Sequence, residues 1–416
     1  GKGKKVPDSL LKVFSENPEY SAKLDSLINA KNKDPLKIFD KKNAEKLFGE
    51  NLNISASQLE KFNLCRFSYF CNYGLNVRER LKAEINPMQY GTLVHYILER
   101  FFSEYTKEEY LSLEEDIFIE IVRTYLSEYA VTYFGTEQLE SNSFTYRLKT
   151  ILDNVIYLMK HIMLELSQSE FFVADCELKI GEDIPSCTIV LPDGHKIAVC
   201  GSVDRVDIMQ KNGVSYLRVI DYKTGTKQFK LSDILYGINL QMLLYLHSIE
   251  NSDSDKYGKI TPAGILYMPA TVPYISADSL KSIDKLPDEL NKNLKMNGLL
   301  LKDAEIIHGM DKTDAATYIP VKIKAGEPVS ATSLATLEEF GKIFKKVDML
   351  IAEMGKNIYD GNIEAKPLKG GHDSCEYCPY DSVCAYRQSS PINCFSVDNK
   401  AVIEEITNEI NGKEEE

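Results

Sequence analysis

The sequence predicts a domain of the α/β (α+β) class, in which helices flank a central mixed sheet. One observation is that apolar residues recur every three or four positions between Gly91 and Gln168, as in amphipathic helices. Another is that short β-branched runs separated by turn signals begin at about residue 171, which indicates strands. Helical spacing then returns after these runs. Because sheets and helices must bury their apolar faces against each other, this order predicts one layered domain.

The first elements belong to the N-terminal part of the chain. Residues 1–50 are rich in Lys and Asn and have only short apolar patches, so we expect a helical connecting segment. Ser55 is in the position of a helix cap, because Gln58 follows it at the spacing of a capping box. An aromatic-rich run then extends to Gly74 and leads to the helical layer over residues 91–168.

The remaining elements alternate between strands and helices. The β-branched runs predict strands at 172–180, 188–191, 197–209 and 214–222. We also predict a helix at 232–248, a strand at 264–268 and a long helix at 333–356. Residues 277–318 are polar and have little periodicity, so we interpret them as an insertion.

Composition limits the classes of function. Lys and Arg total 49 against 62 Asp and Glu, so the net charge of -13 excludes nucleic-acid binding through the overall field, and any such contact must be local. No apolar run of about 18 residues and no signal segment is present, which predicts a cytoplasmic protein. No phosphate-binding G-x-x-x-x-G-K-[ST] loop occurs, so no ATPase motor is predicted in this chain. The first residue is not Met, which fits an excised fragment.

A predicted hairpin carries the most informative residues. The dipeptide Asn212–Gly213 lies between two β-branched runs, a strong signal for a two-residue turn. Counting outward from this turn places Asp204 opposite Asp221, and Lys223 points to the same side of the sheet. Carboxylates on facing strands, with Cβ atoms about 4.5–5.5 Å apart, repel each other unless a cation lies between them.

This arrangement favours a Mg²⁺ site for phosphodiester hydrolysis. Mg²⁺ prefers oxygen ligands and activates water, while a nearby ammonium group offsets charge that develops in the transition state. The alternative is an ordinary salt bridge, since Asp-x-Lys tripeptides are common. The apolar strands around the carboxylates favour a ligand, because charged residues seldom line a buried sheet without one.

Nine cysteines in a predicted cytoplasmic chain are not expected to form disulfides. Cys375, Cys378 and Cys384 lie close together in sequence and provide three thiolates, too few for a four-coordinate site. The spacing alone leaves zinc and an iron–sulfur cluster both open. Cys71 and Cys394 are possible substitute ligands.

Several motifs together resemble the RecB-like branch of the PD-(D/E)XK nuclease superfamily. They are the hairpin sequences GSVDRVD (201–207) and DYKTG (221–225), His95 in GTLVH (91–95), and Gln241 with Tyr245 in a Q-x-x-x-Y pattern. The resemblance implies a restriction-endonuclease-like core and the following roles. Mg²⁺ would be held by His95, Asp204, Asp221 and the backbone carbonyl of Tyr222; Asp204, Asp221 and Lys223 would be catalytic; Gln241 and Tyr245 would contact DNA or brace the site. The family often has an acidic residue at the position of Glu177, which we leave without a role.

The cysteines extend the resemblance to AddB-type subunits of helicase–nucleases. Cys65 lies before an aromatic run like that after the family's first cluster cysteine, although Arg66 stands where the family usually has Pro. The resemblance implies a [4Fe–4S] cluster on Cys65, Cys375, Cys378 and Cys384, with zinc as the alternative. Such a cluster would act as a staple that closes the domain.

The resemblance also implies a division of the chain. The expected parts are a connecting segment (1–50), the first part of the iron–sulfur staple (51–90), the RecB-like nuclease core (91–364, with the insertion 277–318), the cysteine segment (365–395) and an acidic tail (396–416).

The activity implied is that of a Mg²⁺-dependent DNA exonuclease domain that processes double-strand ends for recombinational repair and cuts the 5′-ended strand. An AddA-like helicase–nuclease partner would supply ATP hydrolysis and deliver single-stranded DNA. Two alternatives stay open: a stand-alone RecB-like iron–sulfur exonuclease, and a DNA-binding scaffold without catalysis. Retention of Asp204, Asp221 and Lys223 argues against the scaffold.

Overall fold

A computed structural model of the chain describes residues 8–31, 37–78, 87–135, 141–225, 228–252, 255–272, 286–313, 316–330, 332–384, 386 and 391–414. The α-helices in this part are α1 (Asp8–Glu16), α2 (Pro18–Lys31), α3 (Lys41–Phe48), α4 (Ala56–Leu64), α5 (Arg66–Tyr69), α6 (Pro87–Glu104), α7 (Lys107–Ser112), α8 (Glu115–Phe134), α9 (Asn142–Gln168), α10 (Gln241–Glu250), α11 (Leu286–Leu294), α12 (Ala304–Met310), α13 (Leu337–Tyr359) and α14 (Asn399–Glu414). None of the helices described has the length and apolar character needed to cross a membrane.

The strands form one large sheet and several small ones. They are β1 (Leu52–Ile54), β2 (Phe172–Ile180), β3 (Thr188–Val190), β4 (Lys196–Val199), β5 (Gly201–Lys211), β6 (Val214–Lys223), β7 (Ile260–Pro269), β8 (Asn297–Leu301), β9 (Lys322–Lys324), β10 (Glu327–Val329), β11 (Leu334–Ala335), β12 (Leu368–Gly370) and β13 (Ile392–Cys394). The large sheet has the order β11-β8-β7-β6-β5-β2. Its β6–β7 and β8–β11 pairs are parallel and the others antiparallel, so the predicted central mixed sheet is confirmed.

The turn between β5 and β6 sets the register of the sheet centre. Asn212 and Gly213 both have positive φ angles, 51° and 76°, which suit the tight turn of a hairpin. The pairs run from Lys211–Val214 to Arg205–Ile220, as the sequence predicts. The next positions outward in this count are Asp204 and Asp221.

Three elements differ from the sequence predictions. The helix expected at 232–248 begins only at Gln241, because residues 231–236 form a 3₁₀ turn that ends at Gly237 in the left-handed conformation (φ 68°). The strand expected at 197–209 is two strands separated at Cys200. The acidic tail contains α14, whose Val402 and Ile406 are fully buried. Charged residues outnumber apolar ones there and mask the helical spacing.

The predicted insertion at 277–318 also contributes to the central sheet. Strand β8 pairs with β7 on one side and β11 on the other, and its Leu299 and Leu300 are fully buried. Residues 277–285 and 314–315 of this stretch lie outside the part of the chain described. Whether the stretch is an insertion relative to other nucleases stays a prediction.

A buried ion cluster joins the β5–β6 hairpin to helix α9. Arg205, Asp207, Arg218 and Glu165 have fully buried side chains. Asp207 accepts hydrogen bonds from Arg205 Nε (2.7 Å) and Arg218 Nε (2.9 Å). Arg218 Nη2 also donates to Glu165 Oε1 on α9 (2.7 Å), so two cations neutralise two anions. The cluster lies on the sheet face opposite Asp204, because side chains alternate along β5.

The N- and C-terminal parts of the chain contact each other directly. Tyr359 at the end of α13 donates its hydroxyl to the carbonyl oxygens of Gly49 and Glu50 (3.1 and 2.9 Å). Tyr380, between two of the predicted cluster cysteines, donates to the carbonyl oxygen of Val77 (2.7 Å). These bonds span more than 300 positions, and that of Tyr380 joins the two cysteine-bearing segments.

We predict that Arg218→Met lowers the free energy of unfolding by about 3–5 kcal/mol. The substitution keeps much of the side-chain volume but leaves two buried carboxylates with one arginine, and an uncompensated buried charge is costly. Urea denaturation followed by circular dichroism would measure this loss.

The matched control is Arg123→Met on the surface of α8. Arg123 pairs with Glu120 on an exposed face, so this change should cost about 1 kcal/mol or less. Equal effects of the two substitutions would contradict the importance assigned to the buried cluster.

Candidate functional site

Three carboxylates lie in a row across adjacent strands at one end of the sheet. The pairs Cys176–Arg205 and Leu178–Val203 place Glu177 of β2 opposite Asp204 of β5, and Asp221 of β6 follows on the other side. Such a row on neighbouring strands concentrates negative charge in a small volume. Positive charge close to the row favours the ionised form of these carboxylates.

Helix α6 adds an imidazole to this row. His95 Nδ1 lies 3.4 Å from Glu177 Oε1 and 3.6 Å from Asp204 Oδ2, and Nε2 lies 3.3 Å from the Tyr222 carbonyl oxygen. The possible ligand atoms of His95, Glu177 and Asp204 all lie within 4.8 Å of one another. Residues from two strands and one helix thus converge on one point.

The electrostatics of this point fit a hard divalent cation. Burial raises the pKa of Asp204, and the neighbouring Asp221 carboxylate raises it further, to about 7. Burial lowers the pKa of His95, but the hydrogen bond with Glu177 and the Asp204 charge outweigh it and raise this pKa to about 9. The carboxylates therefore draw a positive charge to the imidazole. Carboxylate oxygens, a backbone carbonyl and an imidazole are suitable ligands for a cation that supplies this charge.

Lys223 lies beside the row, at the end of β6. Its Nζ is 2.5 Å from Asp221 Oδ2 and donates to Gln241 Oε1 at 3.4 Å. The two predicted positions Lys223 and Gln241 thus meet, and Asp221 is buried beneath them. The ammonium group is in place to act next to the carboxylate row.

Tyr245 lies one turn after Gln241 on α10 and packs on the backbone at the start of β5. A Cβ atom added at Gly201 would come within 2.4 Å of the Tyr245 hydroxyl oxygen, so only glycine allows this approach. Gly201 is three residues before Asp204. Tyr245 therefore packs against the strand that carries the central carboxylate.

Glu177 is the site residue to which sequence reasoning gave no role. It accepts a hydrogen bond from Ser202 (2.7 Å) in addition to its contact with His95. Its φ of 48° is unusual for a non-glycine residue in a strand, and such conformations concentrate at functional sites. The resemblance marked the position, but its partner His95 lies 82 positions earlier and no local pattern joins them.

The predicted cluster cysteines lie in one neighbourhood. Burial raises the pKa of the Cys65 thiol, and Cys384 and Cys378 are close enough to raise it further. Cys375 is likewise affected by Cys378 and Cys384. The two possible substitute ligands differ in their surroundings. Burial raises the pKa of both thiols, but the other charged neighbours of Cys71 are Cys378, Cys384 and Cys65, whereas those of Cys394 are Asp233 and Lys230.

The two groups of described residues whose possible ligand atoms lie within 4.8 Å of one another do not include these cysteines. The choice between zinc and an iron–sulfur cluster at these thiols therefore stays a prediction from the resemblance.

The second such group consists of Cys187, His247 and Asp348. His247 Nε2 lies 2.9 Å from Asp348 Oδ1, and Nδ1 lies 2.7 Å from the Asn251 side-chain amide. Both ring nitrogens therefore have partners between α10 and α13. His247 therefore has a structural role between these two helices, which distinguishes it from the carboxylate row at the end of the sheet.

Comparison with known proteins agrees with this geometry. Residues 53–385 match the family model described as the PD-(D/E)XK nuclease superfamily. The chain is 32% identical over 392 residues to an AddB-type subunit of the ATP-dependent helicase/deoxyribonuclease of Clostridium acetobutylicum, covering 90% of this chain and 33% of that protein. The corresponding proteins of Clostridium kluyveri and Thermoanaerobacter sp. are 33% and 34% identical, over 97% and 88% of this chain. The chain spans about one third of the length of these relatives.

We predict that a divalent cation stabilises the chain through Asp204. Chelator-treated protein should gain melting temperature when Mg²⁺ or Ca²⁺ is added, because a ligand that binds only the folded state stabilises it by mass action. Asp204→Asn keeps the side-chain shape and should remove this gain. Thermal unfolding with and without the cation would measure it.

Asp348→Asn is the control, since Asp348 belongs to the other group of possible ligands. The gain should persist in this variant. A gain retained by Asp204→Asn and lost by Asp348→Asn would place the cation at the other group.

Proposed function

The chain belongs to the PD-(D/E)XK nuclease superfamily, and we propose that it is the Mg²⁺-dependent DNA exonuclease domain of a helicase–nuclease subunit that processes double-strand ends for recombinational repair. The observation that carries the proposal is the meeting of Asp204, Asp221 and Lys223 at one end of the hairpin, with His95 and Glu177 beside them. The names of the relatives, which join helicase and deoxyribonuclease, support it.

We assign the ligands of Mg²⁺ to His95, Asp204, Asp221 and the Tyr222 carbonyl oxygen, with Glu177 orienting His95. When bound, the ion would lower the pKa of a water and neutralise charge on the phosphate. In hydrolysis a water oxygen bonds to phosphorus, the bond to the leaving oxygen breaks, and that oxygen takes up a proton. The same ion would keep the carboxylates of the row ionised.

Lys223 is proposed to orient the attacking water and to offset charge that develops on the phosphate. Its contacts with Asp221 and Gln241 fix the ammonium group at the row. Gln241 therefore positions the lysine, and Tyr245 positions β5 through Gly201. These contacts favour the bracing role over direct DNA contact for both residues.

The proposed partners are DNA and an AddA-like subunit. A domain with a net charge of -13 repels DNA through its overall field, so we propose that a motor delivers single-stranded DNA to the site against this repulsion. The resemblance suggests cleavage of the 5′-ended strand and a cytoplasmic location. A stand-alone exonuclease would carry the same site, but the helicase in the names of the relatives favours the partnered form.

We further propose a [4Fe–4S] cluster on Cys65, Cys375, Cys378 and Cys384. The shared neighbourhood of these cysteines supports a common ligand site, and the resemblance to AddB-type subunits favours a cluster over zinc there. The hydrogen bond of Tyr380 to the Val77 carbonyl oxygen already joins the same two segments. A cluster would add bonds between them and close the domain.

Lys223→Met should lower the rate of Mg²⁺-dependent cleavage of single-stranded DNA by about 10²–10³-fold, the loss typical of a removed transition-state donor. Release of labelled nucleotides from an end-labelled oligonucleotide would measure it. Lys259→Met is the control: Lys259 is exposed and precedes β7, whose first residues pair with the opposite end of β6. Cleavage that survives Lys223→Met within a few-fold would remove Lys223 from the mechanism.

Anaerobic purification should give a brown protein with about four irons and four sulfides, as expected for one [4Fe–4S] cluster. Cys65→Ser should lose the iron and the visible absorption, whereas Cys394→Ser should keep both, because Cys394 lies among other partners. A colourless protein that contains zinc would overturn the cluster. Loss of iron from Cys71→Ser but not from Cys65→Ser would transfer the fourth ligand to Cys71.

A further inference from the structure

A cleft of about 580 Å³ opens directly beside the carboxylate row. Its lining includes His95, Glu177 and Ser202 at the candidate metal site and the three tyrosines Tyr96, Tyr129 and Tyr133. Its volume lies within the roughly 300–1,000 Å³ of typical ligand sites. The tyrosines have no part in the proposed hydrolysis.

Two of the three tyrosines, Tyr129 and Tyr133 of α8, stack on each other, and Tyr96 of α6 packs against Tyr129 at a tilt of 50°. The rings of Tyr129 and Tyr133 are nearly parallel, at 27°, with centroids 4.3 Å apart, and Tyr96 lies 5.2 Å from Tyr129. Tyr129 is 4% exposed, whereas Tyr133 is 62% exposed. Tyr133 therefore rests on a buried ring and presents a large aromatic surface at the cleft.

The support beneath this surface is fixed by further contacts. Tyr96 accepts a hydrogen bond from Arg100 Nη1 (3.1 Å), and the Arg100 guanidinium lies 4.3 Å from the centre of the Tyr125 ring. The stack is thus held on both helices. A rigid aromatic surface binds a flat group with little loss of side-chain freedom.

The charges of the cleft indicate which part of a nucleotide enters it. Glu99 and Glu177 line the cleft, and Lys179, also in its lining, is paired with Glu182. Carboxylates repel phosphate, but a tyrosine face binds any nucleobase by stacking, whatever its sequence. A base therefore fits against the tyrosines of the cleft, and the phosphate fits at the carboxylate row with its proposed cation.

We propose that Tyr133, supported by Tyr129 and Tyr96, stacks on the nucleobase of a nucleotide next to the phosphate that is cut. This inference rests on the proposed nuclease function and adds a substrate-binding site to it. A base within a duplex already stacks on its neighbours, so the site accepts an unpaired strand. The stack would place the strand in the active site.

The sequence contains no Trp, so the fluorescence of one introduced Trp reports on stacking without background from other indoles. In the full chain, Tyr133→Trp introduces one indole whose fluorescence is quenched when a base stacks on it. A labelled oligothymidylate is added with Ca²⁺, and its anisotropy reports binding independently of fluorescence quenching. We expect quenching by the oligonucleotide and none by an abasic strand of equal length.

Tyr146→Trp is the matched control, because Tyr146 is 73% exposed on α9 and does not line the cleft. Its fluorescence should not change. Tyr133→Ala should raise the KM for single-stranded cleavage about 5–150-fold, the equivalent of about 1–3 kcal/mol per stacked base, whereas Tyr133→Phe should stay close to the unchanged chain.

Binding without quenching of the Tyr133→Trp chain, or an unchanged KM in Tyr133→Ala, would overturn the stacking site while the nuclease function stands. Absence of both DNA binding and cleavage in the unchanged chain would overturn the proposed function, and the stacking site with it.

Discussion

The register of the β5–β6 hairpin is the constraint on which the rest of the molecule depends. The two-residue turn at Asn212 and Gly213 fixes which residues face each other along both strands. One face of the hairpin then carries Asp204 towards the site, and the other carries Arg205 and Asp207 into the core. The candidate site and the buried ion cluster are two consequences of one alignment.

The candidate site is held in place by elements that are distant in sequence, and each of these elements makes only a few contacts with it. Helix α6 brings His95 to the carboxylates, and α10 brings Gln241 to Lys223. Behind the sheet, Glu165 of α9 binds both arginines of the ion cluster. A fully buried set of charges accepts few alternative geometries, because each displaced partner leaves a charge unsatisfied. The sheet end is therefore held from both faces.

Local patterns could be predicted from the sequence, whereas interactions over long distances could not. The hairpin and the capping box at Ser55 are encoded by adjacent residues and were predicted with the correct positions. The start of α10 was missed because Gly237 interrupts an apolar stretch that otherwise has helical spacing. Strand β8 was missed because polar residues surround it. Asp204, Asp221 and Lys223 follow from the hairpin register, whereas His95, Gln241 and Tyr245 come from motif resemblance. The roles of all six stay predictions, although the structure brings them together. The buried ion cluster could not be predicted from the sequence, because charged residues that alternate along a strand more often lie on its exposed face.

The alternation along β5 also limits how this segment of the gene can change. Because side chains alternate between the two faces, a shift of one residue would move Arg205 into the site and Asp204 into the core. Point substitutions at exposed positions of the strands leave this alignment intact. A codon inserted or deleted between Asp204 and Asp221 would disturb both faces at once. We therefore expect the length of this hairpin to vary less during evolution than its amino-acid composition.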